Sequence, residues 1–231
     1  MSVAIAILAA GRGARFGGDR PKPSVPWQGI PLVGHALSAA LASEASPVLV
    51  VVGYQAEQVM ALVPAGVQVV VTPHWQEGLA SSLKAALVAL DPVMDVAGVC
   101  VGLADQPLIG VNAYGRLIAA ANQGADLAVA TYGGQRRNPV YLSRKLWPQA
   151  RQLTGDSGAR QLMATHPVTE VPCDDTGDPF DIDTPADLAH LTQSVGLHNA
   201  KARRCQREAM HHPKIMPRAT KVSQVFKLIT P

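Results

Sequence analysis

Val3-Ala4-Ile5-Ala6-Ile7-Leu8-Ala9-Ala10-Gly11-Arg12-Gly13-Ala14-Arg15-Phe16-Gly17-Gly18, with Pro21-Lys22 close behind, is the stretch on which the fold turns. An unbroken apolar run that ends in glycines reads as a strand buried on both faces and emptying into a loop. In such a loop the glycines let backbone N–H groups approach a polyphosphate, while Arg12, Arg15 and Lys22 neutralise its charge. The pattern is neither G-x-x-x-x-G-K-[ST] nor G-x-G-x-x-G, because position 16 is Phe. A Gly-rich turn with solvated arginines is the plainer reading of the same residues.

Outward from this strand, β-rich apolar runs recur at about 47–52, 67–71, 97–103 and 126–130. Between them, segments 33–44, 54–62, 80–90 and 111–122 carry apolar residues at helical spacing, as in Leu79, Leu83, Ala86, Leu87 and Leu90. Strands alternating with helices predict an α/β fold, a doubly wound and mostly parallel sheet whose ligands bind beyond the carboxyl ends of the strands. After Gly134 the rhythm changes. A strand is expected over 139–143, helices over 145–153 and 157–165, and a strand over 168–171. Thr184-Pro185 then reads as a helix start, with Thr as N-cap and Pro at the first helical position, running to about residue 192.

Two acidic segments stand out among these elements. Asp105 leaves the carboxyl end of the run 97–103, the edge that faces the crevice, and is the first candidate metal ligand; a turn aspartate ahead of Pro107 is the alternative. Asp181 and Asp183 lie two apart in Asp178-Pro179-Phe180-Asp181-Ile182-Asp183, so an extended chain points both to one side, as a hard divalent cation requires. Asp183 also suits the dipole of the helix that follows.

Composition bounds the rest. A chain of 231 residues with 48% apolar content has enough material for a real core. Its longest apolar runs fall well short of the ~20 residues of a membrane span. The start carries no basic stretch typical of a secretory signal, and three cysteines without a C-x-x-C pair suit neither a disulfide framework nor a zinc site, so a cytoplasmic location is expected. Cys100 reads as core filling, and Cys173 and Cys205 have no partner in sequence to make them reactive. The net charge of +3 conceals a split: from residue 196 on, eight Lys and Arg face Glu208 alone, a local +7, which leaves −4 for residues 1–195. The expected organisation is one domain over 1–195 and a basic, partly disordered C-terminal appendage over 196–231. No aromatic platform accompanies those basic residues, which argues against nucleic acid as the partner.

Leu8-Ala9-Ala10-Gly11-x-Gly13-x-Arg15-Phe16-Gly17 with Pro21-Lys22 resembles the opening of nucleotidyltransferases that activate sugar phosphates, methylerythritol phosphate and the molybdenum cofactor. Leu103-Ala104-Asp105-Gln106-Pro107-Leu108 and Asp181-Ile182-Asp183-Thr184-Pro185-Ala186-Asp187-Leu188 narrow the likeness to the molybdenum cofactor, MobA-like branch. Trp75-x-x-Gly78-x-x-Ser81-Ser82-Leu83 and Gly155-Asp156-x-Gly158-Ala159-Arg160 are similar to segments of its cytidylyltransferases. The likeness spans residues 3 to about 192 and implies a Rossmann-like nucleotidyltransferase fold. It further implies transfer of CMP from CTP to the phosphate of molybdopterin with release of pyrophosphate, Mg2+ as cofactor, and a recipient molybdoenzyme or its chaperone downstream.

Residue by residue, the resemblance implies Leu8, Ala9, Ala10, Gly11, Gly13, Arg15 and Lys22 at the nucleotide and its triphosphate, with Arg15, Lys22 and Asp105 carrying the chemistry. Asp105, Asp183 and Asp181 would hold the metal, and Ser81 and Ser82 would lie near the nucleotide. Helix capping explains the serines equally well. Arg160 would clamp an acceptor phosphate, though a solvated arginine beside a helix-start Asp156 reads as well. Ala10 stands where guanylyltransferases of the branch carry glycine, which favours CTP over GTP. Arg137-Asn138-Pro139 stands where the cytidylyltransferases carry G-H-P, so Asn138 meets the acceptor without the usual histidine, and another phosphorylated acceptor, a sugar or polyol phosphate, stays open. A noncatalytic cofactor-binding protein is the remaining alternative.

Overall fold

β1 (Ser2–Ala9) sends Val3, Ile5, Ile7 and Ala9 into one buried cluster and Ala4, Ala6 and Leu8 into another on the opposite face. A strand covered on both sides has no polar face to present, which is why its sequence is apolar without alternation. The computed structural model of the protein describes residues 2–17 and 19–193. Around β1 it places the hairpin strands β2 (Pro26–Trp27) and β3 (Ile30–Pro31), α1 (Leu32–Leu41), β4 (Val48–Val52), α2 (Ala56–Met60), β5 (Gln68–Val71), α3 (Leu79–Leu90) and β6 (Val96–Leu103). The second half adds α4 (Val111–Asn122), β7 (Leu127–Tyr132), β8 (Gln135–Ser143), α5 (Trp147–Ala150), α6 (Arg160–Met163) and β9 (Thr169–Pro172). A last helix occupies 185–193.

The main sheet has the order β5-β4-β1-β6-β8-β7-β9. β1 pairs in parallel with β4 and β6, and β4 with β5, whereas β8 runs antiparallel to both β6 and β7. α1 and α4 cover one face with Val33, Leu37, Tyr114 and Leu117, while α3 and α5 cover the other with Leu83, Leu87, Leu90 and Trp147. This is the doubly wound, mostly parallel α/β sheet expected, with one antiparallel insertion. Among the described residues no helix is long and apolar enough to cross a membrane.

Local chemistry corrects several boundaries. The helix expected over 145–153 is a 3-10 turn at Arg144–Leu146 followed by α5, because Pro148 is tolerated only in a first turn. The helix expected over 157–165 is broken at Gly158, whose φ of 50° is left-handed, so only Arg160–Met163 is α-helical. The strand expected over 139–143 begins earlier, at Gln135, since Gly133-Gly134 folds it back on β7 as a hairpin. Residues up to His190 form one compact unit. The basic appendage expected over 196–231, Cys205 with it, lies outside the described residues.

Candidate active site

The loop after β1 closes on itself because Gly13 lets it: with φ 63° it accepts a turn bond from Phe16 N–H at 2.9 Å, and a Cβ there would stand 2.6 Å from the Lys22 Cβ. Pro21 then starts the short turn Lys22–Ser24, which carries the Lys22 side chain inward until the residue is only 9% exposed. On the far side, Asp105 follows β6 by two residues. Its carbonyl accepts from Ile182 N–H at 3.0 Å, and Gly110 N–H donates to Thr176 O at 3.0 Å, so segment 176–183 is laced beside 105–110. That lacing brings Asp183 next to Asp105 across a long stretch of sequence.

Lys22 Nζ donates to Asp105 Oδ2 at 2.5 Å and to Asp183 Oδ1 at 3.0 Å. Arg15 Nη2 meets the second oxygen, Asp183 Oδ2, at 2.9 Å from a largely exposed position. Burial on its own would lower the Lys22 pKa, but the charge and hydrogen bond of Asp105, then those of Asp183, outweigh it, and the ammonium is held above the ordinary lysine range. Two carboxylates thus converge on one cation. Below Asp183 a capping box fixes the helix over 185–193: Asp187 Oδ2 accepts from Thr184 N–H at 2.7 Å and Thr184 Oγ1 at 2.8 Å, while Thr184 Oγ1 accepts from Asp187 N–H at 3.2 Å. Asp183 N–H also donates to Asp187 Oδ2, at 3.0 Å, which orients the site carboxylate from behind. The Thr184 hydrogen bond, foremost, holds the Asp187 carboxyl below the usual aspartate range.

A cavity of about 460 Å³ opens over this cluster. Leu8, Ala9, Ala10, Gly11 and Gly13 line it along the β1 loop, and Arg15, Lys22, Asp105, Asp183 and Ser82 complete the set expected there. A second cavity, of about 240 Å³, adjoins it along Leu79, Leu103 and Asp156, which line both. Asn138, Arg160 and Asp181 line this second space with Arg136, Arg137 and Gln106. Arg136 is paired with Glu170 at 2.8 Å, whereas Arg137 and Arg160 make no ion pair among the described residues.

Two expected neighbours are separated by the fold. Asp181 does not join Asp183 in the first cavity: its Oδ1 accepts from Gln106 Nε2 at 2.9 Å, and it lines the second cavity instead. Burial first, and then the nearby charge of Asp105, push the Asp181 carboxyl up against the opposing Gln106 bond. Ser81 lies on the other side of α3 from Ser82, with its Oγ 3.2 Å from Thr72 Oγ1, and lines an outer groove instead. Neither serine is the N-cap of α3. That position is Gly78, and the Leu79 N–H is met at 3.2 Å by Asp156 Oδ1 from the Gly155–Ser157 turn. Among the described residues no group of three His, Cys, Asp or Glu side chains is arranged around one metal position.

Sequence reasoning passed over Gln106, Trp75 and Asp187. Gln106 is 2% exposed, with Nε2 donating to Pro179 O and Asp181 while Oε1 is buried without a partner among the described residues. Trp75 lines the first cavity, and the Trp75-x-x-Gly78 spacing was its signal.

The MobA-like NTP transferase domain model matches residues 5–171. A curated relative, nicotine blue oxidoreductase of Paenarthrobacter nicotinovorans, is 31% identical over 80% of this chain and 94% of its own. Among solved structures, a Mycobacterium sp. strain JC1 homologue of the Mycobacterium tuberculosis protein Rv0371c is 32% identical, with a TM-score of 0.73 over 84% of this chain and 96% of that one. A complex of Rv0371c with manganese, from Mycobacterium tuberculosis H37Rv, is 27% identical with a TM-score of 0.72, covering 84% of this chain and 100% of that one. The family model covers most of the sheet, and on that match the chain belongs to the MobA-like NTP transferase domain family, nucleotidyltransferases whose fold it carries.

Proposed function

We propose that the protein transfers CMP from CTP to the terminal phosphate of molybdopterin, with Mg2+ as cofactor and pyrophosphate as the second product. The observation that carries this reading is the Lys22 ammonium held between Asp105 and Asp183 beside a glycine loop. The two carboxylates already gather around one positive charge, and hard carboxylate oxygens completed by substrate phosphates are a donor set that magnesium accepts. Asp105 and Asp183 would hold it, and when bound it supplies charge neutralisation at the phosphate oxygens. Asp181, engaged by Gln106, is left to the acceptor side.

An acceptor phosphate oxygen attacks the α-phosphorus, forming a new P–O bond while the bond from that phosphorus to the β-bridging oxygen breaks and its electron pair leaves with pyrophosphate. A phosphate monoester is ionised near neutral pH, with a second pKa of about 6, so no dedicated base is needed. The chain's own work is positional and electrostatic. Backbone N–H groups from Ala10 to Gly13 and the Arg15 guanidinium hold the triphosphate, and Lys22, kept charged by its neighbours, offsets charge developing on the leaving group. Arg137 and Arg160, which make no ion pair among the described residues, orient the anionic acceptor in the second cavity. Ala10 supports CTP: it lines the cavity and stands where guanylyltransferases of the resembling branch carry glycine.

One observation favours a second acceptor class. Asn138 replaces the histidine of the resembling cytidylyltransferases, and a relative of similar length bears the name nicotine blue oxidoreductase, so family members differ in what they are named for acting on. A panel of acceptors, molybdopterin against sugar and polyol phosphates, assayed with CTP and magnesium for pyrophosphate, tests the assignment. Turnover with molybdopterin alone supports it, and turnover only with another phosphate replaces it.

A further inference from the structure

Resting on the reading of the first cavity as a nucleotide site, we propose that Trp75 is the wall against which the nucleobase packs, and so a determinant of nucleotide affinity. β1 lies between β4 and β6 in the sheet. Asp105 follows β6, and the charged cluster of Lys22, Asp105 and Asp183 gathers on that side. Trp75 stands on the opposite side, against the residue that follows β4: a Cβ on Gly53 would be 2.6 Å from Trp75 Cβ and 2.9 Å from the Ala10 carbonyl oxygen. Two strand spacings, roughly 10 Å, separate the two sides. A nucleotide whose phosphates meet the charged cluster and whose middle crosses the β1 loop therefore reaches Trp75 with its base.

The indole is held for that task. Its ring meets the Tyr54 ring edge-on, with centroids 5.3 Å apart at 65°, and the Arg12 guanidinium covers Tyr54 at 5.6 Å. Tyr54 N–H in turn donates to Ala10 O at 2.9 Å, tying the aromatic pair to the phosphate loop. Gly78, Leu79 and Ser82 line the cavity beside the indole. An aromatic face braced from behind and open in front accepts any base by stacking.

The three tryptophans make the test direct, because Trp27 and Trp147 are 5% and 1% exposed and Trp75 alone is half-buried. Wild-type protein, Trp75→Phe and Trp75→Leu are titrated with CTP and magnesium without acceptor, reading tryptophan emission, with equilibrium dialysis in parallel and circular dichroism as the folding control. The wild-type emission falls as CTP binds. Trp75→Phe loses that change yet keeps its affinity within about threefold, and Trp75→Leu binds CTP roughly tenfold more weakly. Dialysis showing bound CTP with no change in wild-type emission, or equal affinity in the Leu variant, overturns the inference and leaves the nucleotide reading standing. No binding of CTP, GTP, ATP or UTP to the wild type overturns both.

Discussion

Asp105 was legible in the sequence because it leaves the carboxyl end of a strand and Lys22 because it closes a short glycine motif, whereas Asp183 reaches them only through the lacing of 176–183 beside 105–110. The two residues that went elsewhere, Ser81 and Asp181, have their direction set by distant partners, Thr72 and Gln106, which no spacing rule encodes. Replacing Lys22 with Ala is expected to lower the rate of transfer by about a hundredfold or more while nucleotide still binds, since the ammonium acts where charge develops; single-turnover kinetics beside a binding titration would read the two apart. Ala10→Gly removes only a methyl from the cavity wall. It is expected to narrow the preference for CTP over GTP, seen as converging kcat/KM values, and an unchanged ratio would remove Ala10 from the account of specificity.

At the level of elements, α3 was read correctly from its apolar spacing, yet both its ends depend on chain far away. Asp156 meets its first N–H, and Arg144 donates to the carbonyls of Leu90, Asp91, Val93 and Val96 at 3.1, 2.7, 2.8 and 3.0 Å beyond its last turn. Arg144→Ala should cost about 1–3 kcal/mol by removing the guanidinium donors from those carbonyls, of which Leu90 O and Val93 O keep the N–H groups of Val93 and Val96, measured as a shift in the urea midpoint at constant slope. The capping box of the helix over 185–193 was half foreseen: Thr184 was expected as N-cap, Asp187 as its partner was not. Thr184→Ala should cost about 1 kcal/mol at neutral pH. Because the folded Asp187 pKa is depressed, its contribution is present above the ordinary aspartate value of about 3.9 and is lost as pH falls through the lower folded value. The difference between wild type and Asp187→Asn, measured by denaturation, should therefore shrink toward pH 3.

The whole molecule was readable as a doubly wound sheet because a parallel strand covered on both faces must be apolar throughout, and four such runs alternate with helical ones. What escaped was the order in which β8 inserts between β6 and β7, a long-range pairing for which the sequence offers only the Gly133-Gly134 hairpin signal. That insertion sets Arg136, Arg137 and Asn138 beside Asp181 and Arg160 and so builds the second cavity next to the first. We propose that the pair of cavities joins a nucleotide to a phosphorylated acceptor around Asp105 and Asp183. Pyrophosphate release with molybdopterin, magnesium and each of CTP, GTP, ATP and UTP, compared between the wild type and Asp105→Ala, tests it most directly. Release with CTP is expected, dependent on added magnesium and at least a hundredfold lower in the variant; release equal in wild type and variant, or none with any nucleotide, would overturn the assignment.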